Sequence, residues 1–85
     1  MTRAWLVERD VDSRDLVTLT YATPDGTRAF TKQASLTILT RSGGVTAATE
    51  VEDDRLDPVE EPDTVERYAA EATRVADEYD PDERL

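Results

Sequence analysis

Two alternating runs of residues flank the segment Thr23-Pro24-Asp25-Gly26-Thr27, and this arrangement restricts the fold more than any other feature of the chain. Proline holds φ at about −65° at the first central position of a turn, aspartate suits the second, and glycine accepts the left-handed conformation that follows. Ahead of the turn, Val17, Leu19 and Tyr21 share one side of a run that sets Thr18, Thr20 and Ala22 on the other. Behind it, residues 28–33 supply the returning strand. The pattern predicts a β-hairpin.

Further strands are predicted on both sides of this hairpin. Residues 4–9 form a short apolar run ending in charge, and residues 10–15 have the composition of a loop. Residues 35–41 are β-branched enough for a short strand, closed by a tight turn at Ser42-Gly43-Gly44. Val45, Ala47, Thr49 and Val51 then alternate along another strand. Residues 53–62 hold acids and two prolines, and they are expected to form an ordered connector pinned by Leu56 and Val59.

The C-terminal segment has helical periodicity. Val65, Tyr68, Ala69, Ala72, Val75, Ala76 and Tyr79 recur at steps of three and four, which predicts a helix over 63–79 with its apolar stripe, both tyrosines included, in the core. Asp63 with Glu66 makes a start resembling a capping box, Asp80-Pro81 ends the helix, and residues 80–85 are expected to fray. The predicted architecture is α+β: a small antiparallel sheet of three to five strands over about 3–52, with one C-terminal helix packed on one face. Of the five aromatic residues, Trp5 and Phe30 are expected to be largely buried beside Tyr68 and Val75.

At 85 residues the chain makes one domain, burying roughly 60% of its unfolded surface. Cysteine and histidine are both absent. Disulfides, thiolate nucleophiles, the usual structural zinc sites and histidine-based catalytic pairs are therefore excluded, and no catalytic residue, metal ligand or cofactor is predicted. Nothing resembles a membrane span, and the apolar run at the start is too short for a signal-peptide core, so the expected compartment is the cytoplasm.

The formal net charge is −10, unevenly spread. Up to Thr49, six basic residues meet five acidic ones; from Glu50 onward, four meet fifteen. Lys32 is the single lysine among ten basic residues. Dense carboxylate with scarce lysine suits a medium of molar ionic strength, where the Debye length falls to about 3 Å and self-repulsion is screened. The runs Ala4-Trp5-Leu6-Val7-Glu8-Arg9, Leu19-Thr20-Tyr21-Ala22-Thr23-Pro24-Asp25-Gly26 and Arg67-Tyr68-Ala69-Ala70-Glu71-Ala72 resemble small, uncharacterised acidic proteins of halophilic archaea. The resemblance implies a high-salt cytosol and carries no activity.

Three constellations bear on function. The acidic residues Glu50, Glu52, Asp53, Asp54, Asp57, Glu60, Glu61 and Asp63 could supply oxygen ligands to a hard cation, but their spacing lacks the calcium-loop pattern, and such a run is ordinarily a solvated face. Arg28, Phe30 and Lys32 alternate onto one face of a strand, as in modules that stack a base and hold its phosphate; the simpler reading puts Phe30 in the core with two cations reaching past it. Molar salt and the acidic half both argue against nucleic acid. Finally, the strands have apolar residues on both sides. Leu6 opposes Trp5 and Val7, Leu16 opposes Val17, Leu19 and Tyr21, and Leu39 opposes Leu36 and Ile38. One helix covers one face, so Leu6, Leu16 and Leu39 are the candidates for an apolar patch facing a protein partner or a second copy, unless the connector folds over them. The expected function is a small non-enzymatic interaction module, with a weak single-stranded nucleic-acid binder acting through Arg28, Phe30 and Lys32 as the alternative.

Overall fold

The computed structural model describes residues 1–85, the side chain of Ser42 excepted. β1 (Thr2–Val11), β2 (Leu16–Ala22), β3 (Arg28–Ser35), β4 (Ala48–Val51) and β5 (Asp57–Pro58) make one antiparallel sheet in the order β4-β1-β2-β3-β5. The β2–β3 hairpin closes as its residue types require. The Gly26 amide donates to the Thr23 carbonyl at 2.8 Å, and Gly26 has φ 73°. At the β1–β2 turn the Asp12 carboxylate accepts from the amides of Arg14 and Leu16, at 2.8 and 3.0 Å.

Register divides the sheet into two apolar faces. Trp5 lies opposite Ala22 and Leu6 opposite Tyr21, so Trp5 and Leu6 point away from each other. An irregularity between Leu6 and Glu8 shifts β1 by one residue. Beyond it Arg9 faces Leu19 and Val11 faces Val17, which turns the acids Glu8 and Asp10 off that face. On the Trp5 face lies α2 (Pro62–Glu78), whose Ala72 and Val75 pack with Trp5, Ala47 and Ala48. On the Leu6 face, Ala4, Leu6, Val17, Leu19 and Tyr21 form a second cluster with Val45, Val51 and Leu56. Full burial contributes roughly 1.5–3 kcal/mol for a side chain the size of Val17 or Leu19.

The architecture agrees with the α+β expectation, and several details differ. Residues 35–41 do not form a strand; they belong mostly to α1 (Leu36–Ser42). The Ser35 hydroxyl caps this helix by accepting from the Ile38 amide at 3.3 Å, and Gly43 at φ 88° terminates it. Capping at both ends and the seat of Leu39 on the Leu6-face cluster override β-branched propensity. In α2 the N-cap is Glu61 with Pro62 in the first turn, so Asp63 sits inside the helix instead of capping it. Ala76 is exposed, and Tyr68 is half-buried with the Arg67 guanidinium 5.3 Å from its ring centroid.

Phe30 is not beside Val75. Its partner across the ladder is Tyr21, which puts it on the Leu6 face, half-buried and away from the helix that covers Trp5. Residues 81–85, expected to fray, run along residues 45–48 instead. The amides of Ala47, Ala48 and Leu85 donate to the carbonyls of Glu83, Pro81 and Val45 at 2.8, 3.0 and 2.8 Å. Leu85 packs against both clusters, so the tail closes one end of the sandwich.

Candidate functional site

The Leu6 face is only partly sheathed. α1 covers it on one side and the segment from β4 through the 3₁₀ turn Asp53–Arg55 on the other. Between them an open cleft of about 660 Å³ remains, a size that suits a small molecule or a few side chains. Tyr21, Phe30 and Ala34 line its sheet side, Ile38 and Leu39 project from α1, and Val51 closes it from β4. Ile38 is 63% exposed although it is aliphatic, because its helix turns it to the cleft and not to the core.

The charged side chains around the cleft are three cations and two carboxylates. Lys32, Arg55 and Arg84 meet two carboxylates, Glu50 and Glu52. Glu50 is itself held by Arg3 at 3.2 Å. Arg84 donates to the Gly44 carbonyl at 3.2 Å. Lys32 has no salt-bridge partner among the described residues. In a chain of net charge −10, the cleft therefore presents a locally positive rim over an apolar floor. Burial pushes the Tyr21 phenol above its ordinary pKa, while a hydrogen bond with the Thr46 side chain offsets part of that rise. At neutral pH the phenol is a neutral, hydrogen-bonded part of the floor.

The structure brings two of the three basic-aromatic candidates together. Phe30 and Lys32 line the cleft side by side, as their alternation required. Arg28 is on the same strand face, but β5 pairs beside it and it lies within the field of Asp25 and Asp53. The apolar trio is dispersed. Leu6 is buried at 7% exposure, Leu16 is half-buried on the opposite sheet face, and Leu39 is half-buried on α1 against the Leu6-face cluster. They make no common patch, because register sets Leu16 on the other face, while Leu39 from α1, the connector's Leu56 and the tail's Leu85 pack over the cluster that holds Leu6. Of the acidic run, Asp53 accepts a hydrogen bond from the Thr2 hydroxyl, and this holds its carboxyl below the usual range. Among the described residues no three carboxylates converge on one point. Sequence reasoning missed Ile38, Arg55 and Arg84. Ser35 ahead of a Leu-Thr-Ile-Leu run was the signal that could have identified α1 and hence Ile38.

A five-stranded antiparallel sheet with a helix on each face defines a small α+β protein. Over residues 1–85 the sequence matches the family described as "Family of unknown function (DUF7967)", and the chain belongs to that family. No curated protein and no solved structure matches it. Among the described residues no helix is long and apolar enough to cross a membrane.

Proposed function

We propose that this protein is a non-catalytic interaction module of a high-salt cytoplasm, and that its working surface is the cleft between α1 and the β4 segment. The observation that carries this reading is the pairing of an apolar floor (Tyr21, Phe30, Ile38) with an opposite-sign rim (Lys32, Arg55, Arg84) in a chain that is otherwise acidic. Such a site favours an occupant with an apolar body and a negative group. Nucleic acid fits less well. Phe30 is half-buried against the core, so a base could stack on only part of its ring, and Arg28 lies at the β5 end of the strand in the field of Asp25 and Asp53.

Anilinonaphthalene sulfonate, an apolar ring system with one anionic group, tests the cleft directly. Fluorescence titration of the folded protein is expected to saturate at one molecule per chain. Lys32→Glu and Ile38→Glu should each weaken it about tenfold, equivalent to about 1.4 kcal/mol. Both variants alter exposed side chains, so circular dichroism should show an unchanged fold. Undiminished binding in both would place the dye elsewhere and end this reading.

A further inference from the structure

The long side of the cleft is also an open sheet edge. The antiparallel ladder between β2 and β3 is anchored at its two ends by the Thr23 amide donating to the Arg28 carbonyl at 3.0 Å and the Leu36 amide donating to the Asp15 carbonyl at 2.9 Å. Hydrogen-bonded pairs alternate along such a ladder, so the backbone groups of Arg28, Phe30, Lys32 and Ala34 face β2. Those of Thr27, Ala29, Thr31 and Gln33 face outward. β5 takes up the first two, with the Val59 amide donating to the Thr27 carbonyl at 2.8 Å and Asp57 lying opposite Ala29. The chain then leaves the edge at Leu56 for the 3₁₀ turn. Thr31 and Gln33 keep outward donors and acceptors with no backbone partner among the described residues. Both residues are exposed.

We infer that a partner protein adds an extended strand to this edge, continuing the line of β5, and that alternate side chains of that strand fill the cleft. This rests on the cleft reading above and names its occupant. Residues of the incoming strand opposite Thr31 and Gln33 exchange backbone hydrogen bonds with them, the mode known as strand addition. Residues opposite Lys32 and Ala34 fall on the cleft side of the sheet, while the place opposite Phe30 is taken by Leu56, the residue before Asp57. The chemistry at those two places is legible: one carboxylate against the unpaired Lys32, and an apolar side chain where Ala34 and Ile38 meet. A second copy fits the edge poorly. Centred on Lys32 it would set the two lysines opposite each other, and each chain has net charge −10.

The test uses the full chain and a synthetic peptide reading valine, threonine, glutamate, threonine, capped at both ends, which spans Ala34 to Thr31 and stops short of Leu56. Amide resonances of Thr31 and Gln33 are expected to shift saturably, with hydrogen exchange at both slowed at least tenfold. Gln33→Pro removes an outward amide without touching the β2 ladder and should abolish binding. Should that variant fail to fold, the peptide carries the same question: N-methylation at its two threonines should abolish binding to the wild type, and N-methylation at its glutamate should not. Binding that survives threonine methylation but is lost in Lys32→Glu would overturn strand addition and leave the cleft reading standing. Absence of any peptide binding, while anilinonaphthalene sulfonate still binds, overturns the inference alone; loss of both ends both readings. A sedimenting dimer with Thr31 and Gln33 already protected would assign the edge to a second copy and overturn it as well.

Discussion

The hairpin turn and the long helix meet backbone to backbone: a Cβ on Gly26 would stand 2.7 Å from the amide nitrogen of Ala69. It would also collide with the Val65 carbonyl oxygen. The glycine is thus required twice, by its φ of 73° and by the closeness of α2. That contact fixes where the helix crosses the Trp5 face.

Gly26→Ala is therefore expected to cost about 2–5 kcal/mol, summing a left-handed penalty with forced displacement of the helix. Gly43 is the control. Its φ is 88°, yet a Cβ there meets nothing within 4 Å, so Gly43→Ala should cost only about 1–2 kcal/mol. Urea unfolding followed by circular dichroism compares the two. Equal losses would mean that the helix does not bear on the turn.

The same turn holds a titration that can be followed. The Asp25 carboxyl is held down at about 2, chiefly by the Thr23 hydroxyl at 2.6 Å, then by the Thr27 amide and hydroxyl at 3.1 and 2.8 Å. A pKa lowered in the folded state lends stability above the unfolded value of about 4 and loses it as pH falls toward 2. The stability gap between wild type and Asp25→Asn should be constant above about pH 4 and close by about pH 2. A carboxyl resonance titrating near pH 4 would remove the basis for this.

Ser35→Ala tests whether α1 stands on its cap. The change should cost about 1 kcal/mol and speed amide exchange at Ile38 and Leu39 while leaving β2 protected. Because Ile38 and Leu39 line the cleft, binding of anilinonaphthalene sulfonate should weaken in parallel. Exchange unchanged at Ile38 would show the serine to be idle.

These elements also show what a reader of the sequence could and could not see. The β2–β3 hairpin was legible because its turn demands particular residues at particular places, and α2 because its stripe spans many turns. α1 was harder to see, since Leu36, Thr37, Ile38 and Thr40 suit a strand locally, and the helix is decided by the caps at Ser35 and Gly43 together with docking of Leu39. The face taken by Phe30 depended on register with Tyr21, which alternation alone leaves open. Arg55 and Arg84 reach the cleft from a connector and a tail, and their convergence with Lys32 is a product of tertiary folding with no local trace.

Salt is the condition to which this fold should respond most. α2 has five acidic residues against Arg67 and Arg74, and its last turn holds no base to oppose the negative end of the helix. Asp77 and Glu78 sit there instead, and the acidic connector leads into the other end of the same helix. The compensating ion pairs are Arg3 with Glu50, and Arg74 with Glu71 and Glu78, all substantially exposed. Exposed pairs contribute at most about 1 kcal/mol each, and salt weakens them along with the repulsion. What opposes the repulsion is packing, and on α2 that packing is thin, since only Ala72 and Val75 are fully buried. Repulsion among the excess carboxylates outweighs the few pairs, so added KCl should raise the urea midpoint, most steeply up to about 1 M, where the Debye length is about 3 Å. Asp77→Lys places a base in the last turn without touching an ion pair. It should stabilise the protein in dilute buffer by about 0.3–1 kcal/mol and flatten the salt dependence. A midpoint that is level or falling with KCl in the wild type would mean that attraction already balances repulsion in this fold, and that its acidity answers to something other than screening.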